Sequence, residues 1–228
     1  MKRVLLSIAV LFSSFTAFAQ MEIIPMDWAV IKEIVAEAPE EVRDLALRLA
    51  APELDTTLTF NDRVIAFYGQ SILSDGKESS LISQVSRLYS QEDYAGALAK
   101  AQEALDINPL NIRALDLAAN SAYMLCQAGD TTHTMDEAKL FFHREMRLLN
   151  TIAITGVGSE ELPFCVTSVA DEYDFMQTYL ELYDYESQAL VGNCDVFTLK
   201  EGSKYYEEKT IWFDASRPLE LLAKELGQ

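Results

Sequence analysis

Apolar residues recur at intervals of three and four over the first two thirds of the chain, which is the period of a helix. Trp28, Ile31 and Val35 mark one such face, and Val42, Leu45, Ala46 and Leu49 mark the next. Pro39 stands at the start of the second run, where a proline is tolerated, and Pro52 ends it. Asn61 is placed to cap a third helix carrying Val64, Ile65, Phe67 and Tyr68. The run Ser74-Asp75-Gly76-Lys77 then reads as a loop.

Between residues 81 and 109 the pattern sharpens. Leu81, Val85 and Leu88 form one helical stripe, and Asp93-Tyr94, Ala97, Ala101, Ala104 and Pro109 follow. Small residues at that spacing let two helices approach closely, an aromatic wedges between them, and a proline ends the second. A second unit starts with Ala114, Leu115, Ala118, Ala119 and Ala122 and continues with Met135-Asp136-Glu137-Ala138. These residues resemble about two tetratricopeptide (TPR) repeats, roughly 70 residues, which need flanking elements as caps because stacking buries a continuous core only from about three repeats.

After Asn150 the period changes. Gly156 and Gly158 break the helix. The segments 164–169, 179–188, 195–200 and 207–213 are short and rich in β-branched and aromatic residues, and Val191-Gly192-Asn193 and Glu201-Gly202-Ser203 read as turns. Short links predict a four-stranded antiparallel meander. Asp214 or Ser216 then caps a final helix with Pro218 in its first turn and Leu219, Leu222 and Leu226 as its buried stripe. The predicted fold is α+β: a helical, TPR-like part over 20–155, then a small antiparallel sheet and a C-terminal helix over 156–228, together forming one domain.

Several short segments occur together in a fixed order. They are Thr57-Leu58-Thr59-Phe60, Ala66-Phe67-Tyr68-Gly69, Asp171-Glu172-Tyr173-Asp174, Ser187-Gln188-Ala189-Leu190-Val191-Gly192, Cys194-Asp195-Val196-Phe197 and Ile211-Trp212-Phe213-Asp214. In that order they resemble an uncharacterised domain-of-unknown-function family of secreted bacterial envelope proteins. The resemblance supports the architecture and implies no activity.

The front of the chain gives a destination. Met1-Lys2-Arg3 is a positive start, Val4 to Phe18 carries no charge, and Ala17-Phe18-Ala19 offers small residues at the positions a signal peptidase reads. An apolar run of about 15 residues falls short of the roughly 20 that span a bilayer. Cleavage is expected after Ala19, so the protein is secreted across the inner membrane, periplasmic or extracellular. Without Lys2 and Arg3 the 18 basic residues become 16 against 36 acidic ones, a formal charge of −20. Such a surface repels phosphate backbones and disfavours nucleic acid as a partner.

Chemistry is sparse. Cys126, Cys165 and Cys194 include no Cys-x-x-Cys, so zinc and thiol-redox chemistry have no support. In an oxidising compartment Cys165 and Cys194 are the favoured pair, and three buried thiols are the alternative. His133 and His143 lack metal-ligand spacing, and Gly156-Val157-Gly158 lacks the rest of a phosphate-cradling loop. No cofactor is implied. Asp171-Glu172-Tyr173-Asp174 reads as a solvated turn that also caps a helix; bound calcium or paired catalytic carboxylates are its functional alternatives. Trp212 and Phe213 alternate on a strand and are expected to pack in the core.

One binding face follows from repeat register. The first helices of successive units line a concave groove, so Ser79, Ile82, Ser86 and Tyr89 face it from one unit, and Arg113, Asp116, Asn120 and Tyr123 from the next. Arg113 and Asn120 can grip a carboxylate or a peptide backbone, unless neighbouring helices or the sheet cover the stripe. The expected function is a non-catalytic interaction module of the cell envelope, using this groove or an exposed sheet edge to engage another envelope protein or peptide. The alternative is a hydrolase or calcium-dependent enzyme built on Asp171 to Asp174.

Overall fold

The computed structural model describes residues 23–227. The expected signal segment and its cleavage site lie outside them. Among the described residues seven helices precede the first strand, and a mixed four-stranded sheet and a terminal helix follow.

Helix α1 (Trp28–Glu37) starts where the Asp27 carboxylate accepts from the Ala29 amide at 2.8 Å. Helix α2 (Pro39–Ala50) opens on its proline. Both pack on α3 (Phe60–Ser74), and Gly69 lets α2 come close, since a Cβ there would stand 2.7 Å from Val42 Cγ1. The cap of α3 is Thr59 rather than Asn61: Thr59 and Asp62 form a reciprocal capping box, which satisfies two amides where Asn61 would satisfy one.

Helices α4 (Ser79–Ser90), α5 (Tyr94–Ile107), α6 (Ile112–Gln127) and α7 (Met135–Ala153) pack in succession. Ala97, Ala101 and Ala104 of α5 and Ala114, Ala118 and Ala122 of α6 are fully enclosed, as their spacing predicts. Asp93, Asn111 and Thr134 each cap the helix that follows through a side-chain oxygen.

The sheet has the order β1-β4-β3-β2, with β1 Phe164–Cys165, β2 Tyr185–Val191, β3 Cys194–Leu199 and β4 Thr210–Asp214. The expected antiparallel meander is corrected here. Strand β1 runs parallel to β4, while β2–β3 and β3–β4 are antiparallel. The strand expected at 164–169 stops after two residues because Ser168 and Asp171 close a second capping box and start α8 (Val169–Asp174). The strand expected at 179–188 begins only at Tyr185, since residues 175–179 continue α8 as a π-helical turn. Gly192 takes φ +62° in the β2–β3 turn, as its sequence suggests.

Two more expectations change. Helix α9 (Ser216–Glu225) does not bury Leu222 or Leu226, which are 51% and 64% exposed. It docks through Arg217, whose Nη2 donates to Ser71 O at 2.8 Å, with Leu221 against Gly76. The reason is register: residues 217, 221 and 224 share the face turned to α3. The three cysteines are free. Cys165 and Cys194 both align with Asp214, from opposite sides of β4. Two strand spacings, about 10 Å, separate them, beyond the roughly 7 Å that a disulfide spans. Phe213 is fully buried among Phe164, Phe175 and Phe197, whereas Trp212 is only half-buried. Tyr68 ties the two parts together, its hydroxyl donating to Cys165 O at 2.7 Å.

Candidate functional site

The residues expected to line a groove from α6 meet α8, which packs against that helix. Helices α4 and α6 are neighbours, and α6 also packs against α8. Arg113 Nη1 stands 3.1 Å from Asp116 Oδ2 and 3.0 Å from Asp174 Oδ1 of α8. Asn120 donates to Asp116 Oδ1 at 2.7 Å. Tyr89 packs edge-on to Tyr94, 5.4 Å between ring centres; burial raises its phenol pKa, with Tyr94 and Asp116 adding to it. Tyr123 stands exposed one turn beyond Asn120. Arg113 therefore does grip a carboxylate, and that carboxylate belongs to its own chain.

The segment Asp171-Glu172-Tyr173-Asp174 is a buried helix, not a solvated turn. Its side chains diverge. Asp171 turns back to its own cap, accepting from the amides and hydroxyls of Thr167 and Ser168 between 2.7 and 2.9 Å. Glu172 is wholly enclosed, and neither carboxyl oxygen has a hydrogen-bond partner. Burial pushes it up to about 9, and Asp195 of β3 adds repulsion. Tyr173 donates to Gln188 of β2 at 2.8 Å. Asp174 reaches Arg113.

Glu145 of α7 joins this group. It is 1% exposed and its Oε1 has no partner. Burial, then Asp116 and Asp174, push it up to about 9. Asp174 is raised to about 8, again chiefly by burial and against the pull of Arg113. Asp116 is raised by burial, with Arg113 and Asn120 pulling it down. Three carboxyls from α6, α7 and α8 thus surround one guanidinium. Charging all three in so enclosed a space costs more than one cation returns, so Glu145 and Asp174 keep their protons at neutral pH. Such pKa values can mark a reactive centre, but here the carboxyls are sealed, and the arrangement fastens α8 into the helical layer. The sequence held a signal for Glu145: it interrupts the apolar stripe Phe141, Leu148, Ile152 at helical spacing.

Among the described residues no group of three or more His, Cys, Asp or Glu is placed to hold a metal. His133 Nδ1 stands 3.0 Å from Glu137 Oε2, and His143 is exposed. The amides of Val157 and Gly158 both donate to Leu162 O, so this glycine loop offers them to no phosphate.

A larger open groove lies elsewhere, between α2, α3, α5 and α7. It measures about 810 Å³. Leu47, Leu105, Leu140 and Phe141 give it apolar walls, with Arg43 and Arg144 among them. Arg144 donates to Pro109 O at 3.3 Å, and its Nε is buried without a partner. The residues read for a binding face did not indicate this side, because the groove needs α2 and α3, which lie before them in the chain.

No curated protein and no solved structure matches the chain. A family model does, over residues 31–224, from α1 to the last turns of α9. The chain therefore belongs to the family described as Domain of unknown function (DUF4919).

Proposed function

We propose that this protein is a non-catalytic binding module of the bacterial cell envelope, exported by its first 19 residues, whose TPR-like hairpins form a scaffold for a peptide or protein partner. The observation that carries the reading is the open groove between α2, α3, α5 and α7. Its volume and its lining, in which Leu47, Leu105, Leu140 and Phe141 stand beside Arg43, Gln102, Asp106 and Glu137, support recognition of a segment with both apolar and charged side chains. Leu47, 65% exposed at its edge, is a large apolar side chain left to water by the fold. The divergence of Asp171, Glu172 and Asp174 supports a structural role for those carboxylates over a hydrolytic or calcium-binding one. The groove replaces the α4–α6 face as the binding surface, since α8 already takes up Arg113.

The test is site-specific photo-crosslinking in the native envelope, with the probe at Leu47 and, as a control, at Lys77. A partner captured reproducibly from Leu47, absent from Lys77 and lost on Arg43→Glu, is the expected result. Equal capture from both positions, or none from Leu47, overturns the reading.

A further inference from the structure

Three arginines lie together without a carboxylate at ion-pair distance among the described residues: Arg63 on α3, and Arg144 and Arg147 on α7. Scarcity of acids is not the reason. The chain has 36 acidic residues against 18 basic ones, and Arg43, Arg48, Arg113 and Arg217 each meet a carboxylate. The three also repel one another. Arg147 is lowered by burial and then by Arg63, and Arg144 by burial and then by Arg147.

Two of them line a small pocket of about 270 Å³, together with Leu54, Phe60, Asn150 and Thr151. Arg147 is fixed there by neutral acceptors: its guanidinium donates to Ala51 O at 2.5 Å and Pro52 O at 2.7 Å. Carbonyl oxygens orient the group and leave its charge uncompensated. Arg63 lies over the Phe60 ring, 5.5 Å from its centre, with Nε buried and unpartnered. Leu54 and Phe60 are about half exposed, so the pocket joins two cations to an apolar surface open to water.

We propose that this pocket binds a small organic acid, its carboxylate between Arg63 and Arg147 and its apolar group on Leu54 and Phe60. Two guanidiniums held near each other are pre-organised for an anion, because binding relieves their repulsion and adds charge-assisted hydrogen bonds. The exposed Leu54 and Phe60 favour a carboxylate with an apolar body over inorganic phosphate. The pocket is separate from the larger groove and stands whether or not that groove binds a partner.

The experiment is an NMR titration of the mature protein with 4-methylpentanoate, its amide, and inorganic phosphate. Expected is saturable binding of the acid at roughly millimolar affinity or tighter, with shifts confined to residues around Leu54, Phe60 and Asn150, and at least about tenfold weaker binding of the amide. Arg63→Gln is expected to weaken the acid about tenfold. If that variant does not fold, Phe60→Ala reads the apolar half and is expected to weaken the acid while leaving phosphate unchanged. Equal binding of acid and amide, phosphate binding as tightly as the acid, or no saturable binding overturns the proposal.

Discussion

Replacing Glu145 by glutamine tests the account of the buried carboxyl group directly. Glu145 is raised from 4.5 to about 9 in the folded protein, chiefly by burial. An unfolded chain releases that proton near 4.5, so the folded state binds more protons over the whole interval. The stability associated with this group is fully present below pH 4.5, declines as pH rises, and is lost once pH passes about 9. By pH 7 the loss is about 3 kcal/mol, a large part of the usual 5–15 kcal/mol of a domain. Glutamine has nearly the same shape and cannot ionise. Urea unfolding at about pH 5 and about pH 8 should show wild type falling steeply and Glu145→Gln falling less, with the variant the more stable at the higher pH by about 3 kcal/mol or more. Parallel pH slopes for the two proteins refute the reasoning. So does a variant less stable at both values, because it means that Glu145 is ionised and held by Arg113.

Arg113→Gln leaves Asp116 without its cation and should destabilise the protein by about 3–5 kcal/mol, read as a lower urea midpoint. Adding Asp116→Asn to that variant should recover part of the loss, because a neutral amide needs no counter-charge. Gly69→Ala places a methyl 2.7 Å from Val42 Cγ1 and should cost about 1–3 kcal/mol on thermal unfolding, while Gly192→Ala, with open space around it, pays only for its positive φ. Protein purified without reductant should carry three free thiols, with Cys126 and Cys194 alkylated first and Cys165 protected until unfolding; an intact mass showing a Cys165–Cys194 bond refutes the sheet register.

What could be read from the sequence is what neighbouring residues decide among themselves. The alanine spacings of α5 and α6, the proline opening α2 and the glycine turn between β2 and β3 are local, and they hold. The run Phe164 to Val169 starts as a strand and ends in a helix because its apolar start suits pairing with β4, while Ser168, with Asp171 three residues on, suits a helix cap; the cap wins since it satisfies amides that β4 cannot reach. The parallel pairing of β1 with β4 joins residues 49 positions apart and leaves no local trace. Arg113 shows the same limit. Repeat register set it on a helix face expected to meet a ligand's carboxylate or a peptide backbone, and the residue it meets is Asp174 of α8. Whether that partner is a ligand or the chain itself depends on Asp174, beyond the whole of α7, and on Glu145, whose burial keeps the cluster short of negative charge. The apolar pattern places a helix face but cannot say what covers it. In this protein one face was sealed by α8, and the arginines of α3 and α7, which no pattern singled out, were left without a carboxylate at ion-pair distance among the described residues.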